Sequence, residues 1–334
     1  MKRKMTAIIL IIVMISALTS CGNKKGEGGN SGMEGRRVIT YYTWVGDDEK
    51  KFVQTMISQF ESIHPEIDIN DNYVPYGEYL SKLSTLEASG TMPEVFQLIE
   101  GKVFEWGSKG ALLDLAPLFE QSGMDLYSTQ VPDSIFGDGT HIYGVGSDLI
   151  TMVLYYNKDM LKKYGIEAPS SDAGKPWTWD EFRKAAITLT RDSEGNCPKD
   201  REFDKDSIVT YGTVMPANWT KLLALLRTNG TSFVSEDGRT LNMTSDKAAE
   251  VMNRILDLSR KDQCAPDYSI GADLEANIPT LIMNNQVAMM IEGSWNLSSY
   301  MNEGYDIGVA QIPMFETPAN VNWSTSICMS KMQQ

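Results

Sequence analysis

Histidine is nearly absent from this 334-residue chain, which has two, His64 and His141. They stand far apart and in no cluster with metal-ligand spacing, which argues against a zinc site. Basic residues are also scarce: 30 Lys and Arg stand against 44 Asp and Glu, for a formal net charge of −14. This balance argues against nucleic acid and against a basic membrane-binding surface. The motifs G-x-S-x-G, H-E-x-x-H, the P-loop and G-x-G-x-x-G do not occur, which removes several familiar signatures of catalysis. Internal repeats are missing, and one long apolar run stands alone at the N-terminus.

That run carries the clearest message. Lys2, Arg3 and Lys4 form a charged n-region, Ala7 to Ala17 form an apolar h-region, and Leu18-Thr19-Ser20 leads into Cys21. The layout is that of a secretory signal, with an apolar core too short for a relaxed membrane span. Its last residues, LTSC, resemble a bacterial lipobox, in which small residues allow cleavage and the cysteine thiol receives a diacylglyceryl group. Residues 1–20 are therefore expected to be a lipoprotein signal peptide and Cys21 the lipidation site. Residues 21–36, rich in Gly and polar side chains, form a flexible tether. Loss of the three signal cations makes the formal charge −17. About 300 residues remain, enough for two domains of ordinary size.

Four cysteines are present. Cys197 and Cys264 sit in polar, turn-rich contexts, where an oxidising compartment permits a disulfide, and the residues leave open whether they pair. Cys328, within Ser326-Ile327-Cys328-Met329, reads as a buried strand residue.

Val38 to Trp44 reads as a first strand, broken by the acidic Gly46-Asp47-Asp48-Glu49 that suits a helix first turn. Phe52, Val53, Met56, Ile57, Phe60 and Ile63 follow at helical spacing until His64-Pro65. Ile67–Val74 is a second strand, Leu80 to Leu86 a second helix ended by Gly90, and Val95–Ile99 a third strand before a short helix at Val103–Lys109. This alternation implies a mostly parallel sheet with helices on both faces. At Ile142–Asn157 two extended segments follow one another without a helix, as a crossover between lobes would. Thr178-x-x-Glu181 is a capping box opening a helix that reaches Thr190. Helices fit Lys221–Thr228, Asp246–Arg260 and Ile278–Asn284, and strands fit Val287–Ile291 and Ile307–Ile312.

Several phrases in this order resemble the family 1 extracellular solute-binding proteins, the sugar-binding lipoproteins of bacterial ABC importers. Gly90-Thr91-Met92-Pro93-Glu94-Val95 is similar to the family's G-x-x-P-D-[VI] turn, with Glu94 in place of the commoner Asp. Gly110-Ala111-Leu112-Leu113-Asp114-Leu115 is similar to its G-x-L-x-D-L segment. Tyr156-Asn157-Lys158-Asp159, Trp177-Thr178-Trp179-Asp180-Glu181-Phe182 and Ala288-Met289 with Gly293-Ser294-Trp295 match its YNKD, TWDE and AM…G-x-W phrases. One departure is the end of the chain at Met332-Gln333-Gln334, where the family continues with several helices.

The resemblance implies an α/β, two-lobed fold of the periplasmic-binding-protein type II, each lobe a mostly parallel sheet flanked by helices, with hinge crossings between lobes and the C-terminal helices missing. Lobe 1 is expected over 37–147 plus about 305–334, and lobe 2 over 148–304. It implies a monomer that captures a carbohydrate in the cleft, without catalysis or cofactor, and presents it to the permease subunits of an ABC importer. The lipid on Cys21 would hold the protein on the outer surface of a Gram-positive cell or in a periplasm. Sugars need aromatic faces for their C–H surfaces and acids or amides for their hydroxyls. Candidates are Trp44, Asp47 and Asp48 at the C-terminal end of strand one, Glu100 at the end of strand three, Asp148 before the second lobe's first strand, and Trp219, Trp295 and Trp323. Trp177 and Trp179 beside the capping box are expected to pack, and of Tyr155 and Tyr156 one is expected to face the cleft and one the core. Asp192-x-Glu194-x-Asn196 lacks the glycine and closing glutamate of a calcium loop and reads as a polar turn. Rival readings are a binding protein for a cationic solute such as a polyamine or ferric iron, a glycan-degrading enzyme with paired carboxylates, and a partner of a membrane sensor.

Overall fold

In the computed structural model the described residues are 35–331, apart from 215, 217, 268–277 and 303–304. The signal peptide, Cys21, nearly all of the tether and Met332-Gln333-Gln334 lie outside them. The chain divides into two compact units, the first ending at Val95 and the second starting at Phe96.

The first unit opens with β1 (Arg37–Thr43). Gly46 then donates its N–H to the Glu49 carboxylate at 3.2 Å, and α1 (Asp47–Ile63) begins with the acidic residues its N-terminal N–H groups favour. Proline at 65 stops it by disfavouring helical backbone at His64. β2 (Ile67–Tyr73) lies parallel to β1, with Val38 opposite Asp68 and Tyr42 opposite Asn72. α2 (Tyr76–Ser89) ends at Gly90, whose φ of 71° is left-handed and whose N–H reaches the carbonyls of Glu87 and Leu86. Glu94, in the family's aspartate position, accepts the Thr40 N–H of β1 at 2.9 Å. The chain passes to the second unit within β3 (Val95–Leu98).

There, α3 (Glu100–Ser108), α4 (Ala116–Ser122) and α5 (Leu126–Thr129) precede β4 (Ile135–Gly137) and β5 (Ile142–Gly146). After three residues β6 (Ile150–Asn157) starts, followed by α6 (Lys158–Lys163), α7 (Trp179–Leu189), β7 (Arg191–Asp192) and β8 (Ile208–Thr213). Among the described residues, α8 (Trp219–Thr228), α9 (Asp246–Arg260) and α10 (Ile278–Met283) come next. Then follow β9 (Val287–Gly293), α11 (Leu297–Asn302), β10 (Ile307–Gln311), β11 (Asn322–Trp323) and β12 (Ser326–Met329).

These strands serve two sheets. β12 pairs antiparallel with β5, and β5 with β4. The other sheet runs β10-β6-β9-β8-β7, with β11 also paired to β6. Strand directions depart from the expected mostly parallel order: β6 is antiparallel to β9, β10 and β11, and only β8 and β9 pair in parallel. β8 and β9, the parallel pair, have the described helices α8, α9 and α10 between them, as a parallel connection requires, whereas antiparallel neighbours need no crossover helix. β10, assigned with residues 305–334 to the first lobe on the sequence, hydrogen-bonds to β6 in this second sheet, and the return to the other sheet comes at β12.

At the centre of the second sheet β9 is buried at every residue, so it reads as an apolar run rather than an alternation. Met152, Leu154 and Tyr156 of β6 face a core built with Trp179 and Phe182 of α7, Leu225 of α8, and Val251, Ile255 and Leu258 of α9. Tyr155 faces the opposite core, with Leu281, Ile282, Met290 and Tyr300. Both tyrosines are therefore buried, at 0% and 8% exposure, which corrects the expectation that one of them faces a ligand. α7 opens as the capping box requires, Thr178 N–H donating to Glu181 at 2.7 Å and Glu181 N–H to the Thr178 hydroxyl at 3.3 Å. Cys328 is fully buried in β12, and Cys197, Cys264 and Cys328 are all free thiols. Burial pushes the Cys328 thiol up to about 12.

Candidate functional site

Three of the tryptophans named on the sequence come together in the second unit. The ring of Trp323 lies 6.4 Å from that of Trp219 and 6.1 Å from that of Trp295, the latter edge to face. Trp219 is 65% exposed and Trp295 40%, while Trp323 between them is half-buried against the core. Aromatic surface of this size left in water is the kind that marks a binding site rather than a packed interior.

Each ring has its own local cause. Trp219 stands at the first position of α8, after Asn218, whose side-chain oxygen caps the helix by accepting the Lys221 N–H at 3.1 Å. The Trp295 ring folds back across Gly293, where a Cβ would lie 2.0 Å from the indole. Only glycine admits that approach, which gives the Gly-Ser-Trp phrase its physical meaning. Trp323 is held by the pairing of Asn322–Trp323 with Thr151 and Ile150 of β6, and the loop before it is tied by Asn320, whose amide donates to Met152 and Gln311 at 2.7 Å each.

Beneath this surface is a feature the sequence reading missed. The Lys221 ammonium meets the Glu292 carboxylate at 2.7 Å, with side chains 0% and 5% exposed. The other Glu292 oxygen accepts the Gly293 N–H at 2.9 Å, and the Gly293 carbonyl accepts the Tyr155 phenol at 3.0 Å. Burial, together with neighbouring Tyr300 and Glu292, raises the Tyr155 phenol far above its ordinary value, so it stays a neutral donor. The available signal was a single acid ending the apolar run Val287–Ile291 and a single base opening the apolar helix Leu222–Leu226. Opposite charges on two buried elements have each other as the natural partner.

Asp148 has a different place. Its two oxygens accept the Thr325 N–H at 2.7 Å and the Thr325 hydroxyl at 2.6 Å, and Ser147 N–H donates to the Thr325 carbonyl at 2.9 Å. The β5–β6 and β11–β12 passages between the two sheets are thus strapped side by side, and Asp148 is one of the buckles. Glu100 is exposed at the first position of α3. Trp44 belongs to the first unit, its indole meeting Tyr76 at 5.7 Å and Tyr79 at 4.8 Å, both edge to face. Asp47 and Asp48 open α1, and their backbone alone is described. Trp179 is buried and Trp177 packs against the same core, as expected of residues beside a cap.

The Asp192 turn is polar and self-contained. Its carboxylate accepts the N–H groups of Glu194, Asn196 and Asp204 at 3.0, 2.8 and 3.0 Å. Among the described residues, no group of three His, Cys, Asp or Glu side chains is placed to hold a metal ion.

Comparison with known proteins follows from this geometry. Residues 46–330 match the family model described as bacterial extracellular solute-binding protein. The arabinooligosaccharide-binding protein of Bacillus subtilis is 28% identical over 188 residues, a match covering 55% of this chain and 41% of that protein. This chain thus spans under half the length of that relative. The galactooligosaccharide-binding protein of the same organism is 20% identical over 96% of this chain and 70% of its own length. Among solved structures, an ABC substrate-binding protein of Listeria monocytogenes in complex with cycloalternan superposes with a TM-score of 0.75 at 26% identity, over 89% of this chain and 71% of that one. The maltose/maltodextrin-binding domain from Bdellovibrio bacteriovorus bound to maltotriose gives 0.70 at 20% identity, over 89% of this chain and 72% of its own, and shares the fold.

Proposed function

Because the chain belongs to the bacterial extracellular solute-binding protein family, we propose that it captures a carbohydrate, an oligosaccharide by preference, and delivers it to the permease of an ABC importer. One observation carries the proposal: three neighbouring tryptophans, two of them largely exposed, on a rigid sheet-and-helix support. Indole faces suit the C–H faces of pyranose rings, and a row of them suits a chain of sugars better than one ring. The names of the relatives, binders of arabinooligosaccharide and galactooligosaccharide, point the same way.

In this reading Trp219, Trp295 and Trp323 are the stacking surface. Trp44, Asp47, Asp48 and Glu100 supply further stacking and hydroxyl contacts, and Asp148 acts through the strap. The ligand leaves chemically unchanged. A ligand shifts such a protein between open and closed forms only by its preference for one of them, so capture and delivery depend on contacts that strengthen on closure. The lipid-bearing Cys21 holds the protein, as a monomer, at the extracytoplasmic membrane face on its 21–36 tether.

The test is thermal unfolding of the intact protein against mono- and oligosaccharides, spermidine and ferric citrate. A ligand at a hundred times its dissociation constant adds about 2.7 kcal/mol, a shift of a few degrees at this size. A rise with one class of sugar, recovered intact, supports the proposal. A rise with spermidine or iron alone, or consumption of the sugar, rejects it.

A further inference from the structure

Carbohydrate stacking does not require a buried charge pair, yet one lies directly behind the tryptophans. Burying two charges is expensive, and apolar side chains of like volume often serve stability as well or better. What an ion pair has that an apolar contact lacks is a fixed length and direction. Lys221 is two residues beyond Trp219 on the first turn of α8, and Glu292 is three residues before Trp295. The Glu292 carboxylate also grips the Gly293 N–H, and Trp295 lies folded over Gly293. Hence the elements carrying the two outer rings are joined by the 2.7 Å contact, while the central Trp323 is fixed separately by β6.

We propose that Lys221 and Glu292 are positioning residues that set the separation and tilt of Trp219 and Trp295 on either side of Trp323. Its consequence for affinity rests on the carbohydrate reading above, but the spacing itself does not. β9 is flanked in its sheet by β6 and β8, and Lys221 of α8 reaches Glu292 near the end of β9 through its side chain. The ladder of β9 is thus made with strands, and the ion pair is a directional tie from α8 to the strand end that precedes Trp295.

The experiment reads the exciton coupling of neighbouring indoles by circular dichroism in the intact protein, without ligand. Coupling depends on ring separation and orientation, which a purely structural role of the pair would leave alone. Trp323→Phe identifies the part of the couplet belonging to the three rings. Lys221→Met combined with Glu292→Leu is expected to keep its thermal midpoint and lose that part of the couplet, and to lose oligosaccharide affinity with it. Glu292→Asp, which keeps the charge on a shorter arm, is expected to weaken the couplet in a folded protein and decides the matter should the double variant fail to fold. A wild-type couplet in the double variant, or in Glu292→Asp where the double variant is unfolded, overturns the proposal. A lost couplet in a protein that binds no sugar upholds the positioning role and rejects the carbohydrate reading instead.

Discussion

Trp44 in the first unit and Trp323 in the second both stand at strand ends, yet opposite kinds of interaction surround them. Trp44 rests on neutral aromatics, the edges of Tyr76 and Tyr79, and Tyr79 is itself anchored by donating its phenol proton to the Tyr42 carbonyl at 3.0 Å. Trp323 is flanked by two indoles whose elements converge on the buried Lys221–Glu292 pair. Neutral packing fails by degrees, because each lost contact is small. A buried charge pair fails abruptly, because removal of one partner leaves the other charged and unmatched in a medium that cannot solvate it.

The contrast is broken most forcefully at Glu292. Glu292→Gln is expected to destabilise the protein by about 3–5 kcal/mol in urea unfolding, the cost of a buried charge without its partner. Tyr79→Phe removes one neutral hydrogen bond and is expected to cost about 1 kcal/mol by the same measurement. Equal losses in the two variants would erase the distinction. Thiol labelling sharpens it further, since Cys264 is fully buried in the second unit's core and burial holds its thiol far above the ordinary range. Native protein is expected to label at Cys197 first, and Glu292→Gln, but not Tyr79→Phe, to open Cys264 to the reagent within the same labelling time.

The smallest effect belongs to a charge pair left in water. His141 meets Asp138 at 2.9 Å with both side chains 47% exposed; the hydrogen bond to Asp138 raises the imidazole, while the backbone N–H of His141, and after it the ring, hold the Asp138 carboxyl well below its usual range. The raised imidazole contributes stability below its unfolded value of about 6.5, and that contribution is lost as pH rises through the folded value. Asp138 works in the other direction, its contribution being present above the usual carboxylate range and lost in strong acid. An NMR titration of His141 is expected to give a midpoint above that of the unfolded chain, with Asp138→Asn returning it. An unchanged midpoint in Asp138→Asn would remove the pair from the account.

Much of this was legible along the chain, because helix spacing, caps and apolar runs are local properties. α9 begins after the Ser245 cap and buries Ala248, Val251, Ile255 and Leu258, the residues its 3.6 period selects. Each of the three tryptophans was a candidate by its neighbours in sequence, but their meeting was not visible, since positions 219, 295 and 323 lie far apart in the chain and Trp323 is brought in by the pairing of β11 with β6. The alternation of Tyr155 and Tyr156 was read correctly as two faces, and wrongly as one core and one cleft, because helices cover both sides of β6. Antiparallel strand directions escaped for a similar reason: alternation and length do not encode which way a neighbour runs. Lys221 and Glu292 stand at element ends, where charges are usually solvated, so nothing local marks them as buried partners.

The most direct measurement is a calorimetric titration of oligosaccharides into the intact protein and into Trp323→Ala, whose central ring both outer tryptophans touch. The account predicts saturable binding of at least one oligosaccharide by the wild type, binding lost or weakened by at least about tenfold in Trp323→Ala, and a ligand recovered unchanged. Equal affinity in both proteins would contradict it, and so would a wild type that binds no sugar at all.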